Sequence, residues 1–120
     1  MQIHFLRNAT LIVVTETQRI LVDPTLGLKG SIPPLAFFRH RPQRNPTVSL
    51  PPNAEQALRT ITAALITHCR YGHLDHLDRP GQQWLTRQRL PVYCNFLDEN
   101  YLRKRGITAR PLKPNQPTDF

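Results

Sequence analysis

The chain has 120 residues, room for one domain around one core and not for two. Its 39% hydrophobic content lies above the disordered range, its twelve prolines against five glycines point to long extended connections, and no apolar run approaches the roughly 18 residues that span a bilayer. The formal net charge of +8 favours an anionic partner, but the arginines are scattered and lack the aromatic interleaving of single-strand binders, so nucleic acid is not the expected partner.

From the N-terminus, the short β-rich segments IHFL, TLIVV and RILV are separated by Arg7-Asn8-Ala9 and Glu16-Thr17-Gln18. This pattern predicts two or three antiparallel strands joined by tight turns, and Asp23-Pro24 ends the third because proline cannot continue a ladder. Residues 25–52 are proline-rich and aperiodic, with the pair Phe37-Phe38 and the basic group Arg39, Arg41 and Arg44, and are expected to form a lid or pocket wall. Asn53 is a candidate cap for a helix over AEQALRT, and ITAALIT follows as a buried strand. Pro80-Gly81 is expected to break the chain. Beyond it the sequence predicts a helix over QQWLTRQR, a strand over LPVYCNF, a helix over DENYLRKRG with a glycine stop, and a final strand over ITARPL. The order belongs to the α/β class, in which ligands sit beyond the carboxyl ends of the strands.

Cys69 and Cys94 have no CxxC spacing, so a zinc ribbon and a thioredoxin motif are excluded. A reduced cysteine pair and an N-terminus without a basic start, apolar core and cleavage site lead to the expectation of a cytoplasmic chain.

Residues 66–78, ITHCRYGHLDHLD, hold three of the five histidines and two aspartates. His73, Asp75 and His76 form H-x-D-H at a strand end, with His68 a further candidate if Cys69–Gly72 loops out. Imidazole nitrogen and carboxylate oxygen suit Zn²⁺, Mn²⁺ or Fe²⁺. Set against this are blander roles, a histidine as a surface residue and Asp78 as the cap of the next helix. Cys69 as a thiol nucleophile would need a base within reach, and adjacent side chains on a strand point to opposite faces.

ILVDP at 20–24, the proline-rich segment, RNPTVSLPP, and ALITH followed by HLDHLD together resemble the metallo-β-lactamase-fold hydrolases. Within them the chain is most similar to the branch of L-ascorbate-6-phosphate lactonase-like and N-acylphosphatidylethanolamine phospholipase D-like enzymes. The resemblance implies an α/β fold corresponding to half of an αβ/βα sandwich, residues 1–120 forming one partial domain that matches the family's N-terminal half. It carries metal-ligand roles onto His73, Asp75 and His76, with His68 supplying the first histidine across a three-residue insertion or Tyr71 standing in its place. Asp75 is also the candidate catalytic residue. Asp23 matches an aspartate that orients ligands rather than binding metal, and Arg39 and Arg41 are candidates for the substrate side. Arg7-Asn8-Ala9-Thr10 stands where the branch has Gly-His-Ala-Thr.

The implied activity is hydrolysis of an ester, lactone or phosphoester by metal-activated water, with zinc (or manganese or iron) as cofactor and two ions in a complete homologue. The implied substrate is a small molecule, and the net positive charge with the Arg39–Arg44 region suits a phosphorylated one. The family's later ligands and its second sheet lie in a half that this chain does not contain. The alternative is therefore a non-catalytic remnant or subunit, completed by a second copy or a partner chain over the apolar face of TLIVV, RILV and AALIT.

Overall fold

The computed structural model describes residues 1–34, 41–70 and 72–118. Its elements run β1 (Gln2–Arg7), β2 (Thr10–Val14), β3 (Arg19–Val22), α1 (Ala54–Leu58), β4 (Ala63–Ile66), α2 (Arg79–Arg87), β5 (Val92–Asn95), α3 (Glu99–Arg103) and β6 (Arg110–Leu112). The expected α/β class and element order hold. The strands form one six-stranded sheet in sequential order, antiparallel from β1 to β3 and parallel from β3 to β6.

This topology decides which face is covered. Parallel crossovers are right-handed, and here every parallel step moves in the same direction across the sheet. All the connecting helices must therefore fall on one face. The register places Ile12, Leu21, Ala64 and Val92 in one row across that face, and each is at most 5% exposed. Ala64, Ile66, Val92 and Cys94 pack there with Leu85 of α2, Leu102 of α3 and Ile107 in one core cluster.

The opposite face carries Phe5, Leu11, Val22, Leu65 and Tyr93 in one row, and Ile3, Val13, Ile20 and Ala63 in the next. Phe5 is 65% and Ile3 61% exposed, Leu11, Val13, Ile20 and Leu65 are half-buried, and Val22, Ala63 and Tyr93 are buried, so the face is open mainly at β1. Helix-period sequence has no part in this: the face is apolar because alternate residues of short β-branched strands point to it.

Several boundaries differ from expectation for identifiable reasons. Pro80-Gly81 does not break the chain; α2 begins at Arg79, and the proline sits in its first turn, where a missing N–H leaves no helical bond unmade. Gly81 is required by packing, because a Cβ there would lie 1.8 Å from the Pro24 carbonyl oxygen. Asn53 occupies the position before α1 but makes no side-chain cap bond. β6 is confined to Arg110–Leu112, and α3 stops at Arg103, ahead of Gly106 at φ +76°. Within the expected loop over 25–52, Ile32 and Asn45 form an isolated antiparallel bridge. Phe37, Phe38, Arg39 and Tyr71 lie outside the described residues.

The two faces predict opposite responses to truncation. Leu21→Ala removes a side chain with no exposure and should lower unfolding free energy by about 2–5 kcal/mol. Phe5→Ser on the open face should change it by no more than about 0.5 kcal/mol. Denaturant midpoints of the two variants check this, and equal losses would contradict the assignment of the faces.

Candidate metal centre

The candidate residues gather at the carboxyl ends of the parallel strands, as expected of an open α/β sheet. Asp23 follows β3, Thr67 and His68 follow β4, and Asn95 ends β5. Asp23 adopts φ +47°, a left-handed conformation that aspartate tolerates better than most residues. Its own hydrogen bonds hold it there. The Thr10 hydroxyl donates to the Asp23 carbonyl at 2.6 Å and accepts the Thr25 N–H at 3.0 Å. The carboxylate accepts the Thr67 N–H at 2.7 Å on Oδ1, and on Oδ2 the Thr67 hydroxyl at 2.6 Å and His76 Nδ1 at 2.8 Å.

A carboxylate oxygen accepts, so the short contact assigns a proton to His76 Nδ1. Asp23 thus contacts the ring of His76 directly. His76 Nε2 lies 3.9 Å from Asp75 Oδ2.

The preceding loop is tied to the same strand ends. The Thr25 hydroxyl donates to the Asp75 carbonyl at 2.7 Å. Asp78, only 3% exposed, caps α2 by accepting the Gly81 N–H at 2.8 Å, so its blander role is real. It also accepts the Leu26 and Gly27 N–H groups at 3.0 and 2.6 Å. The carbonyls of that same turn go to Arg7, which is 1% exposed and donates to Thr25 O and Gly27 O. Burial lowers the Arg7 pKa from its ordinary value, and the charge of Asp78 opposes that shift. A carboxylate holding the amides and a guanidinium holding the carbonyls fix the 25–27 turn beneath the histidine loop.

His68, His73 and His76 converge. The His68 ring centroid lies 3.8 Å from that of His76 and 4.4 Å from that of His73, and His73 and His76 are 6.1 Å apart. Burial lowers the His68 pKa, and the neighbouring imidazoles His76 and His73 act in the same direction. Asp75 Oδ1 is buried with no hydrogen-bond partner among the described residues, and His73 Nδ1 lies 4.0 Å from it. An orphaned buried carboxylate oxygen beside imidazoles is the kind of group a bound cation satisfies. As they stand, no three His, Cys, Asp or Glu side chains among the described residues are focused to hold a metal ion. The rings are packed on one another instead, so the donors are gathered and chemically suited but ligation requires side-chain rotation. Donor type and the unpaired Asp75 oxygen fit a borderline transition metal.

Of the remaining candidates, Arg41 is exposed, and Arg39 lies outside the described residues. Cys69 is 2% exposed within the core cluster, and burial pushes its thiol up to about 12 and that of Cys94 up to about 11, both from an ordinary value of 9.0. A thiol so disfavoured as thiolate is no nucleophile. Both cysteines are free. Sequence reasoning gave no role to Thr67, Thr10, Arg7, Asn95 or Asp98, although Thr67 adjoins His68 and Arg7 and Thr10 lie in the segment that stands for Gly-His-Ala-Thr.

No protein-family model matches the chain. It is 36% identical over 107 residues to the UPF0173 protein YddR of Bacillus subtilis (strain 168), a match covering 89% of this chain and 41% of that protein. The crystal structure of a possible metal-dependent hydrolase from Veillonella parvula DSM 2008 superposes with a TM-score of 0.79 at 29% identity, covering 96% of this chain and 45% of the other. That of isothiocyanate hydrolase from Delia radicum gut bacteria gives 0.81 at 31% identity, covering 98% and 44%. These likenesses fit a metallo-β-lactamase-like fold. The chain spans less than half the length of each relative. Among the described residues no helix is long and apolar enough to cross a membrane.

Both thiols should resist alkylation at pH 8 in the native chain and react at least about tenfold faster once it is unfolded. Because both folded pKa values lie above the unfolded one, their contribution to stability is complete below about pH 9 and is lost as pH rises towards 11–12. Fast native alkylation, or stability rising with pH over that window, would contradict the buried placement.

Proposed function

We propose that the chain is the metal-binding portion of a metal-dependent hydrolase, corresponding to the N-terminal half of a metallo-β-lactamase-like domain. The observation that carries this reading is the gathering of His68, His73 and His76 ring on ring beside Asp75, whose buried Oδ1 has no hydrogen-bond partner among the described residues. The names of the two similar structures support the reaction class. His73, Asp75 and His76, with His68, would hold the ion, which we take to be zinc, with manganese or iron as alternatives and two ions in a complete homologue. Such an ion supplies a lowered pKa for bound water and charge stabilisation at the attacked group.

The chain's own contribution is orientation. Asp23 fixes the His76 tautomer, and Thr25 and Asp78 anchor the loop that presents Asp75. Substrates of the lactonase-like branch, small esters, lactones and phosphoesters, are the class we assign, and the cytoplasm is the compartment expected. A second reading has its own support. The exposed Phe5 and Ile3 on the open sheet face favour a subunit or remnant that keeps the metal and needs a second copy or partner chain to complete fold and site.

Elemental analysis after dialysis against metal-free buffer tests the first claim. The wild-type chain should retain at least about one transition-metal ion, and the His73→Ala/His76→Ala double variant should lose it while keeping the far-UV circular dichroism of the wild type. Unchanged metal content in the double variant would overturn the site.

A further inference from the structure

A cavity of about 330 Å³, lined by His4, Arg19, Asn53, Gln56, Ala57 and Thr60, lies where α1 meets the amino-terminal end of β3. That is the opposite end of the strand from Asp23, and the volume falls within the range of small-molecule sites. Strand register puts His4 beside Ile12, and Arg19 two residues before Leu21, so both side chains belong to the helix-covered face. Arg19 is fixed from two sides. Its backbone N–H donates to the Thr62 hydroxyl at 2.9 Å and its Nε to the Thr60 hydroxyl at 2.8 Å, while the Thr60 hydroxyl donates to the Ala57 carbonyl at 2.7 Å. Its outer guanidinium nitrogens make no hydrogen bond or ion pair with any described residue, and neither do the side chains of His4, Asn53 and Gln56. No carboxylate lines the cavity among the described residues; Glu55 of α1 is paired with Arg59 at 2.7 Å instead.

We propose that this cavity is a second binding site, for a phosphate group, independent of the histidine cluster. The planar guanidinium of Arg19 is held by its inner nitrogen, so its outer N–H groups form a fork that matches two phosphate oxygens. Carboxamide NH₂ groups of Asn53 and Gln56 and the ring N–H of His4 supply further donors. A protonated His4 adds a second positive charge, which suits a dianion over a single carboxylate. The five residues of α1 contribute side chains here and not a helix terminus, and Asn53, which makes no cap bond, keeps its carboxamide for the ligand. A phosphate so held bridges β1, β3 and α1.

The test uses the full chain, metal-free and at pH 7, titrated with inorganic phosphate at constant ionic strength and followed by ¹H–¹⁵N NMR. Saturable shifts of the Asn53 and Gln56 side-chain NH₂ groups and of the His4 ring are expected, with acetate at least about tenfold weaker. Arg19→Met should weaken phosphate binding at least about tenfold, with Arg19→Lys in between, because lysine keeps the charge without the fork. If Arg19→Met does not fold, Gln56→Glu decides: the position is exposed, the Arg19–Thr60 bond is untouched, and a carboxylate in the cavity should weaken phosphate at least about tenfold. Arg87→Gln, exposed on α2, changes the net charge by the same amount and should leave binding within about twofold, which separates a site from general attraction to a chain of charge +8. Four results would each overturn the proposal: no saturable shifts in the wild type, shifts confined to His68, His73 and His76, acetate binding as tightly as phosphate, or equal weakening by Gln56→Glu and Arg87→Gln.

Discussion

The Asp23 carboxylate joins three segments at one point. It sits at the end of β3, accepts both the backbone N–H and the hydroxyl of Thr67 at the end of β4, and receives the ring N–H of His76 from the loop beyond. It is 2% exposed, and an unpaired carboxylate so placed would be costly. Hydrogen bonds to charged groups contribute about 1.5–3 kcal/mol each, which is enough to hold the left-handed backbone that aims the carboxylate at its partners. Orientation of the histidine and closure of the β3–β4 strand end are therefore one interaction.

The same parallel topology that gathers the site at one edge of the sheet leaves one face open. Sequential right-handed crossovers put helices only on the side of Ile12, Leu21 and Ala64, and the Phe5 and Ile3 side is left without them. Site and open face are thus consequences of one strand order. The chain spans less than half the length of the relatives it matches.

Most of the fold was legible because the strands are short, β-branched and separated by polar turns, and because HLDHLD concentrates rare residue types. What escaped were partners distant in sequence. Asp98 lies 29 residues from the amide of Cys69 that it accepts, and Thr67 lies 44 from Asp23; no local pattern pairs them. Arg7 stood beside a turn as one more scattered cation, yet it is buried against the carbonyls of Thr25 and Gly27. Pro80-Gly81 misled because a dipeptide that commonly marks a turn also fits the first turn of a helix packed against Pro24. Arg39 was assigned to the substrate side from composition alone and lies outside the described residues. The focusing of imidazoles on an ion is not encoded in spacing either, since side-chain rotamers decide it.

The most direct test of this account is the tautomer of His76 in the metal-free chain at pH 8, read from its ¹⁵N chemical shifts after histidine labelling. A protonated Nδ1 and a bare Nε2 are the expected result, because the Asp23 carboxylate 2.8 Å away can only accept. A proton on Nε2 with Nδ1 bare would contradict it: Asp23 would then not orient His76, and Nε2 would not be open to an ion.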